Sequence, residues 1–192
     1  MRIVILAAAL ALSPLAAKAD TATAVFAGGC FWCVESDFDK LDGVSETVSG
    51  YSGGTLTNPT YREVTSQDTG HYEVVQITYD PEVVSYGELV EYLLRHVDPT
   101  DAGGQFCDRG PSYRTAIFAA SEEEEEAART VIERLEASVD LPGPIVTPVL
   151  DAAPFWRAEE YHQDYYLKNP IRYTFYRLRC GRDARVEAVW GG

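Results

Sequence analysis

The stretch TATAVFAGGCFWCVE, residues 21–35, runs apolar up to two glycines and then changes its period. Thr21 to Ala27 reads as a strand, whereas Phe31, Val34, Phe38 and Leu41 recur at helical spacing. Strand therefore passes into helix at Cys30, where unpaired backbone N–H groups and the helix dipole favour an anion. Such a setting lowers a thiol pKa and makes Cys30 a candidate nucleophile. Gly28 and Gly29 allow the sharp turn. Cys33 follows one helical turn later, close enough to bridge Cys30 in the thioredoxin-type Cys-x-x-Cys manner. Between them Phe31 and Trp32 offer an apolar, polarizable wall suited to a methyl or thioether group, although such a pair by itself also fits ordinary core.

Outward from this junction, Val44–Tyr51 reads as a strand, 52–54 as a turn, and the stretch to Asp68 as a polar loop. Tyr72–Tyr79 alternates as a strand, and Tyr86–His96 is an amphipathic helix stopped by Asp98-Pro99. A Gly-rich loop leads to a strand over Tyr113–Ala119. Ser121 then caps a helix to Ser138, with Glu124 completing a capping box and Glu122–Glu126 forming a solvated acidic start. Ile145–Leu150 reads as a strand, Phe155–Lys168 as a helix, and the remainder as an irregular C-terminal tail. The order β-α-β-β-α-β-α-β predicts an α+β fold, a ferredoxin-like split βαβ two-layer sandwich with a mixed sheet.

Residues 1–19 have the layout of a signal peptide: one early positive charge, an apolar run, then Ala17-Lys18-Ala19 before Asp20. Export is expected, with residues 20–192 as a single catalytic domain. With no surface anchor, the periplasm is favoured over the extracellular space. The formal charge of −14 argues against nucleic acid or an anionic membrane as partner. Four cysteines are too few for a disulfide scaffold of this size, yet some bridge is expected in an oxidising compartment. Zinc would need a second close ligand pair, and Cys107, Cys180, His71, His96 and His162 are scattered.

Further motifs follow in order: GYSGG (50–54), NPTYREV (58–64), TGHYEVV (69–75), DRGPSYRTAIF (108–118) and FWRAEEYHQDYY (155–166). Together with GGCFWCVE (28–35) they resemble the A-type peptide methionine sulfoxide reductases, which reduce the S epimer. The resemblance implies Cys30 as nucleophile, Phe31 and Trp32 as the methyl pocket, and Glu73 as the catalytic acid. It further implies Tyr61 and Tyr113 as hydrogen-bond donors to the sulfoxide oxygen and Asp108 as a further acidic residue of the site. Taken singly, Tyr61 and Tyr113 would be ordinary tyrosines, Glu73 a solvent-facing strand residue, and His71 and His162 structural hydrogen bonders.

The implied reaction leaves Cys30 as sulfenic acid, which a second cysteine resolves and a thioredoxin-like dithiol reduces. No metal, flavin or nucleotide cofactor is implied. Substrates would be oxidised exported proteins and free methionine sulfoxide, and a monomer is expected. The resolving cysteine departs from a common family pattern, in which it lies in a Gly-rich C-terminal tail, since the tail around Cys180 has little of that glycine content. Either Cys33 resolves while Cys107 and Cys180 form a structural bridge, or Cys180 swings in. The competing readings are a general thiol–disulfide oxidoreductase using Cys30 and Cys33, and an acidic binding domain with two inert bridges.

Overall fold

The computed structural model describes residues 20–191; the expected signal segment, 1–19, lies outside them. β1 (Ala22–Gly28) is followed by α1 (Phe31–Phe38), β2 (Val44–Ser52), α2 (Tyr61–Ser66), β3 (Tyr72–Tyr79) and α3 (Tyr86–Arg95). Next come β4 (Gly104–Gln105), β5 (Asp108–Arg109), β6 (Thr115–Ala119) and α4 (Glu122–Ser138). β7 (Val149–Asp151) and β8 (Trp156–Arg157) precede α5 (Tyr165–Lys168), α6 (Pro170–Cys180) and α7 (Arg182–Trp190).

The main sheet has the order β7-β6-β1-β3-β2-β8. β3 lies antiparallel between β1 and β2, and β1 lies antiparallel between β3 and β6. The units β1-α1-β2 and β3-α3-β6 are therefore interleaved split βαβ units, the ferredoxin-like arrangement expected from the sequence. Parallel pairing of β6 with β7 makes the sheet mixed.

Strand alternation sorts the two faces. Phe26, Val75, Ile77 and Ile117 join Phe31, Val34, Phe38, Leu89 and Leu93 in the core beneath the helices. Ala27, Val74, Ala116 and Phe118 form a smaller cluster on the opposite face with Leu150 and Phe155. Each fully buried Leu, Ile or Phe contributes roughly 1.5–3 kcal/mol, so the helix-covered face carries most of the stabilisation. Local signals set the helix starts. Ser85 and Glu88 form a reciprocal capping box at α3, as Thr60 and Glu63 do at α2. At α4 the box is only half made: Ser121 accepts from Glu124 N–H, but Glu124 Oε2 accepts from Ala120 N–H at 2.8 Å.

Several expected boundaries are corrected. Phe155–Lys168 is not one helix, because Gly50 and Tyr51 leave an open edge on β2 that Trp156 and Arg157 fill as β8. Gln163 extends that edge, accepting from Ser49 N–H and donating to Ser49 O, both at 3.0 Å. Asp164, at φ 50°, then interrupts the chain before α5. The strand expected from Ile145 starts only at Val149, since Pro148 has no N–H for a ladder. Tyr113 lies in a 3-10 turn over Pro111–Tyr113, which delays β6 to Thr115. The tail is helical rather than irregular. Pro170 opens α6, and Gly181 at φ 66° ends it in the left-handed conformation before α7 begins.

A β-carbon on Gly50 would meet Phe155 ring carbons at 2.4 and 2.5 Å and the Trp156 carbonyl at 2.6 Å. Gly50→Ala is expected to lose about 1–3 kcal/mol in urea unfolding. An unchanged unfolding midpoint would contradict this close packing of β8 on β2.

Candidate active site

Cys30 occupies the N-cap of α1, with no side chain capping the helix. The Phe31 N–H, a free donor of the first turn, is satisfied by Glu73 Oε2 at 3.0 Å. Glu73 shares strand parity with Val75 and Ile77 and so points beneath α1 rather than into solvent; it is 1% exposed. Its other oxygen, Oε1, is buried without a partner. Burial drives the Glu73 pKa well above the usual carboxylate range, against the opposing bond from Phe31, and so favours the protonated carboxyl.

Cys30 and Cys33 are both buried free thiols. Burial, reinforced by Cys33 and Glu73, pushes the Cys30 thiol up, so the helix N-terminus does not by itself ionise it as the sequence suggests. Cys33 falls to about 7, because the Cys30 thiol hydrogen-bonds to it and Arg182 and Arg177 face it. The first proton therefore leaves the pair near neutrality, and the facing arginines favour the anion on the Cys33 side.

The Phe31 ring lies 4.9 Å from His162, 5.9 Å from Tyr51 and 6.3 Å from Tyr61, centroid to centroid. Trp32 stacks on Tyr165 at 3.8 Å, and its Nε1–H donates to His162 Nδ1 at 2.9 Å. Burial followed by the Glu73 charge raises Tyr61 to about 12 and Tyr113 further, which keeps both as hydroxyl donors. Glu159 holds this wall: Oε1 accepts from Tyr61 N–H at 3.0 Å and Oε2 from the Tyr51 hydroxyl at 2.9 Å. Asp108, its pKa raised by burial, accepts from the Tyr176 hydroxyl, which also contacts Cys30.

Cys107 and Cys180 are joined in a disulfide with their Cα atoms 4.9 Å apart. Cys180 is thus not a free thiol in this state. The metal-type ligand cluster Cys107, Asp108 and Cys180 has both of its sulfurs in that bond. His71 is structural: Nδ1 accepts from Gly54 N–H at 3.1 Å, and Nε2 donates to Leu56 O at 2.8 Å. The structure gathers Cys30, Cys33, Phe31, Trp32, Glu73, Tyr61, Tyr113 and Asp108 around one helix end. It adds Tyr176, Tyr165, Glu159, Arg177 and Arg182, none of which sequence reasoning singled out. For those in the tail a signal existed, since Tyr173, Tyr176, Arg177 and Cys180 have helical spacing.

The family model described as peptide methionine sulfoxide reductase matches residues 22–192. The chain is 54% identical over 176 residues to peptide methionine sulfoxide reductase MsrA 2 of Rhizobium meliloti, covering 92% of this chain and 87% of that one. Among solved structures, reduced Mxr1 of Saccharomyces cerevisiae superposes with a TM-score of 0.73 at 31% identity, over 78% of this chain and 86% of that one. Mxr1 in complex with Trx2 gives a TM-score of 0.54 at 24% identity, over 78% and 89%.

Burial lowers His162 to about 4, so the ring is neutral at pH 7 and Nδ1 can accept from Trp32. Protonation at lower pH removes that acceptor. A tryptophan fluorescence change with a midpoint of about 4, absent from Trp32→Phe, is expected on acidification. A midpoint at the ordinary histidine value of about 6.5 would contradict this burial.

Proposed function

Because the chain belongs to the peptide methionine sulfoxide reductase family, we propose that it reduces the S epimer of methionine sulfoxide through a Cys30–Cys33 disulfide. The observation that carries this reading is the fully buried Glu73 carboxyl, with an unpartnered Oε1 beneath the helix end that bears Cys30 and burial favouring its protonated form. A sulfoxide oxygen leaves only if protonated, and such a carboxyl supplies the proton.

Cys30 Sγ attacks the sulfoxide sulfur while its proton passes to the Cys33 thiolate. Glu73 gives its proton to the oxygen, and Tyr61 and Tyr113 donate hydrogen bonds where charge develops. Phe31 and Trp32 receive the methyl group. Methionine leaves, and the hydroxyl remains on Cys30 as sulfenic acid. Cys33 then attacks Cys30 Sγ, hydroxide departs with the Cys33 proton as water, and the disulfide forms.

Cys33 resolves because it is a free neighbour in the same helix, whereas Cys180 is tied to Cys107. The reductant is a thioredoxin-type dithiol, a reading supported by the complex of Mxr1 with Trx2. The apolar leader 1–19 supports export and the repair of oxidised exported proteins, with free methionine sulfoxide as a second substrate.

The test is methionine release from peptide-borne and free S and R sulfoxides with a dithiol reductant. Wild type is expected to turn over only the S epimer, Cys30→Ser to be inactive, and Cys33→Ser to stop after one equivalent of methionine. Glu73→Gln should lose about 10²–10⁴-fold in rate. Full activity in Cys30→Ser or Glu73→Gln, or repeated turnover by Cys33→Ser, would contradict the proposal.

A further inference from the structure

The C-terminal hairpin carries two arginines that the reaction above does not use. Arg182 starts α7 after the left-handed Gly181 and turns inward, only 2% exposed. Its Nη1 donates to Gly28 O at 3.2 Å and its Nη2 to His96 O at 2.9 Å. The guanidinium lies 4.8 Å from the centre of the Phe106 ring, next in sequence to the Cys107–Cys180 disulfide. Nη2 also lies 3.5 Å from Asp37 Oδ2.

Asp37 is four residues after Cys33 in α1, so the two side chains share one helix face. Arg182 therefore spans from the end of β1 to Asp37, on the helix face that also carries Cys33. Arg177 reaches the same face, 2.8 Å from Asp37 Oδ1 and 3.0 Å from the Tyr173 hydroxyl. Its other edge pairs with Asp183, whose side chain is 61% exposed. Two guanidinium groups thus meet a single buried carboxylate, and Arg182 Nε has no partner. Arg177 shares its charge with the exposed Asp183, so Arg182 is the deeply buried cation whose only carboxylate neighbour is Asp37, and the other ionisable group on that helix face is the Cys33 thiol.

We propose that Arg182, seconded by Arg177, is the counter-charge that makes Cys33 the leaving sulfur when a dithiol reductant opens the Cys30–Cys33 disulfide, so that Cys30 is the sulfur attacked. This rests on the cycle proposed above. A reductant thiolate bonds to Cys30 Sγ, the Cys30–Cys33 bond breaks, and its electron pair goes to Cys33 Sγ. The second reductant thiol gives up its proton and attacks the reductant sulfur of the mixed disulfide. The reductant leaves as its own disulfide, and Cys30 departs as thiolate and takes up a proton. The sulfur with the lower thiol pKa leaves faster. Accessibility agrees, with Cys30 7% exposed and Cys33 2%. The charged and titratable groups facing Cys33 are Arg182, Arg177, Asp37, Tyr173, Glu73 and Cys30, and the arginines are the cations among them.

The experiment follows Cys33 thiolate absorbance against pH in a Cys30→Ser background, where serine keeps a hydroxyl donor. Arg182→Gln is expected to raise the midpoint by at least about one pH unit, and Arg182→Lys to keep most of the wild-type value. Arg177→Gln, at a less buried side chain, should shift it in the same direction and decides the matter if Arg182→Gln does not fold. In wild type, a thioredoxin-type protein lacking its second cysteine should be trapped on Cys30, as read by peptide mapping. Unchanged midpoints in the folded glutamine variants, or trapping on Cys33, would overturn the proposal. Repeated turnover by Cys33→Ser would instead remove the resolving role while leaving the thiolate midpoint intact.

Discussion

The bond from Phe31 N–H to Glu73 Oε2 ties the helix that carries the cysteines to the strand at the centre of the sheet. It satisfies a donor that the start of α1 would otherwise leave buried, and it fixes where the carboxyl sits relative to Cys30. The same burial that makes the bond necessary disfavours charge on Glu73. A carboxyl and a thiol pair thus share one apolar site in which burial favours the proton on oxygen and the facing arginines favour the negative charge on sulfur. That division is what a reaction needing both an acid and a nucleophile requires. Burial of Phe31, Cys30 and Glu73 in that apolar site strengthens every charge interaction inside.

The four cysteines divide the labour by position. Cys30 and Cys33 stand at a helix N-terminus as free thiols, while the Cys107–Cys180 bridge fastens α6 and α7 to the loop that carries Asp108. Through that fastening Tyr176 meets Asp108 and Arg182 reaches the core. A bridge closing so long a loop removes chain entropy from the unfolded state, of the order of 4 kcal/mol in the loop-closure picture. Here it also determines which charges stand behind the thiol pair.

The sheet and its flanking helices were legible because their apolar residues point where their period says they should. The run through Phe31, Val34 and Phe38, and the alternation through Val75 and Ile77, each give one buried face. Glu73 was legible only through its motif, since nothing in an alternating strand marks a buried carboxyl. In the tail the helical spacing of Tyr173, Tyr176, Arg177 and Cys180 was masked for the opposite reason. Ile171, Phe175 and Leu178 are 87%, 65% and 69% exposed, while Tyr173 and the guanidinium of Arg182 are buried. An inverted face defeats a rule that places apolar residues inside. Phe155–Lys168 misled through composition: helix-forming residues were recruited instead to close the edge of β2, a tertiary demand that local propensity does not record.

The account stands on a protonated Glu73 beside a thiolate at neutral pH. Isotope-edited infrared spectroscopy of the reduced protein, with Glu73→Gln as the difference reference, reads that protonation state directly. The account predicts a buried carboxylic acid C=O band that persists through pH 7 and vanishes in the variant. A carboxylate signature assigned to Glu73 at pH 7 in the folded, reduced protein would contradict it.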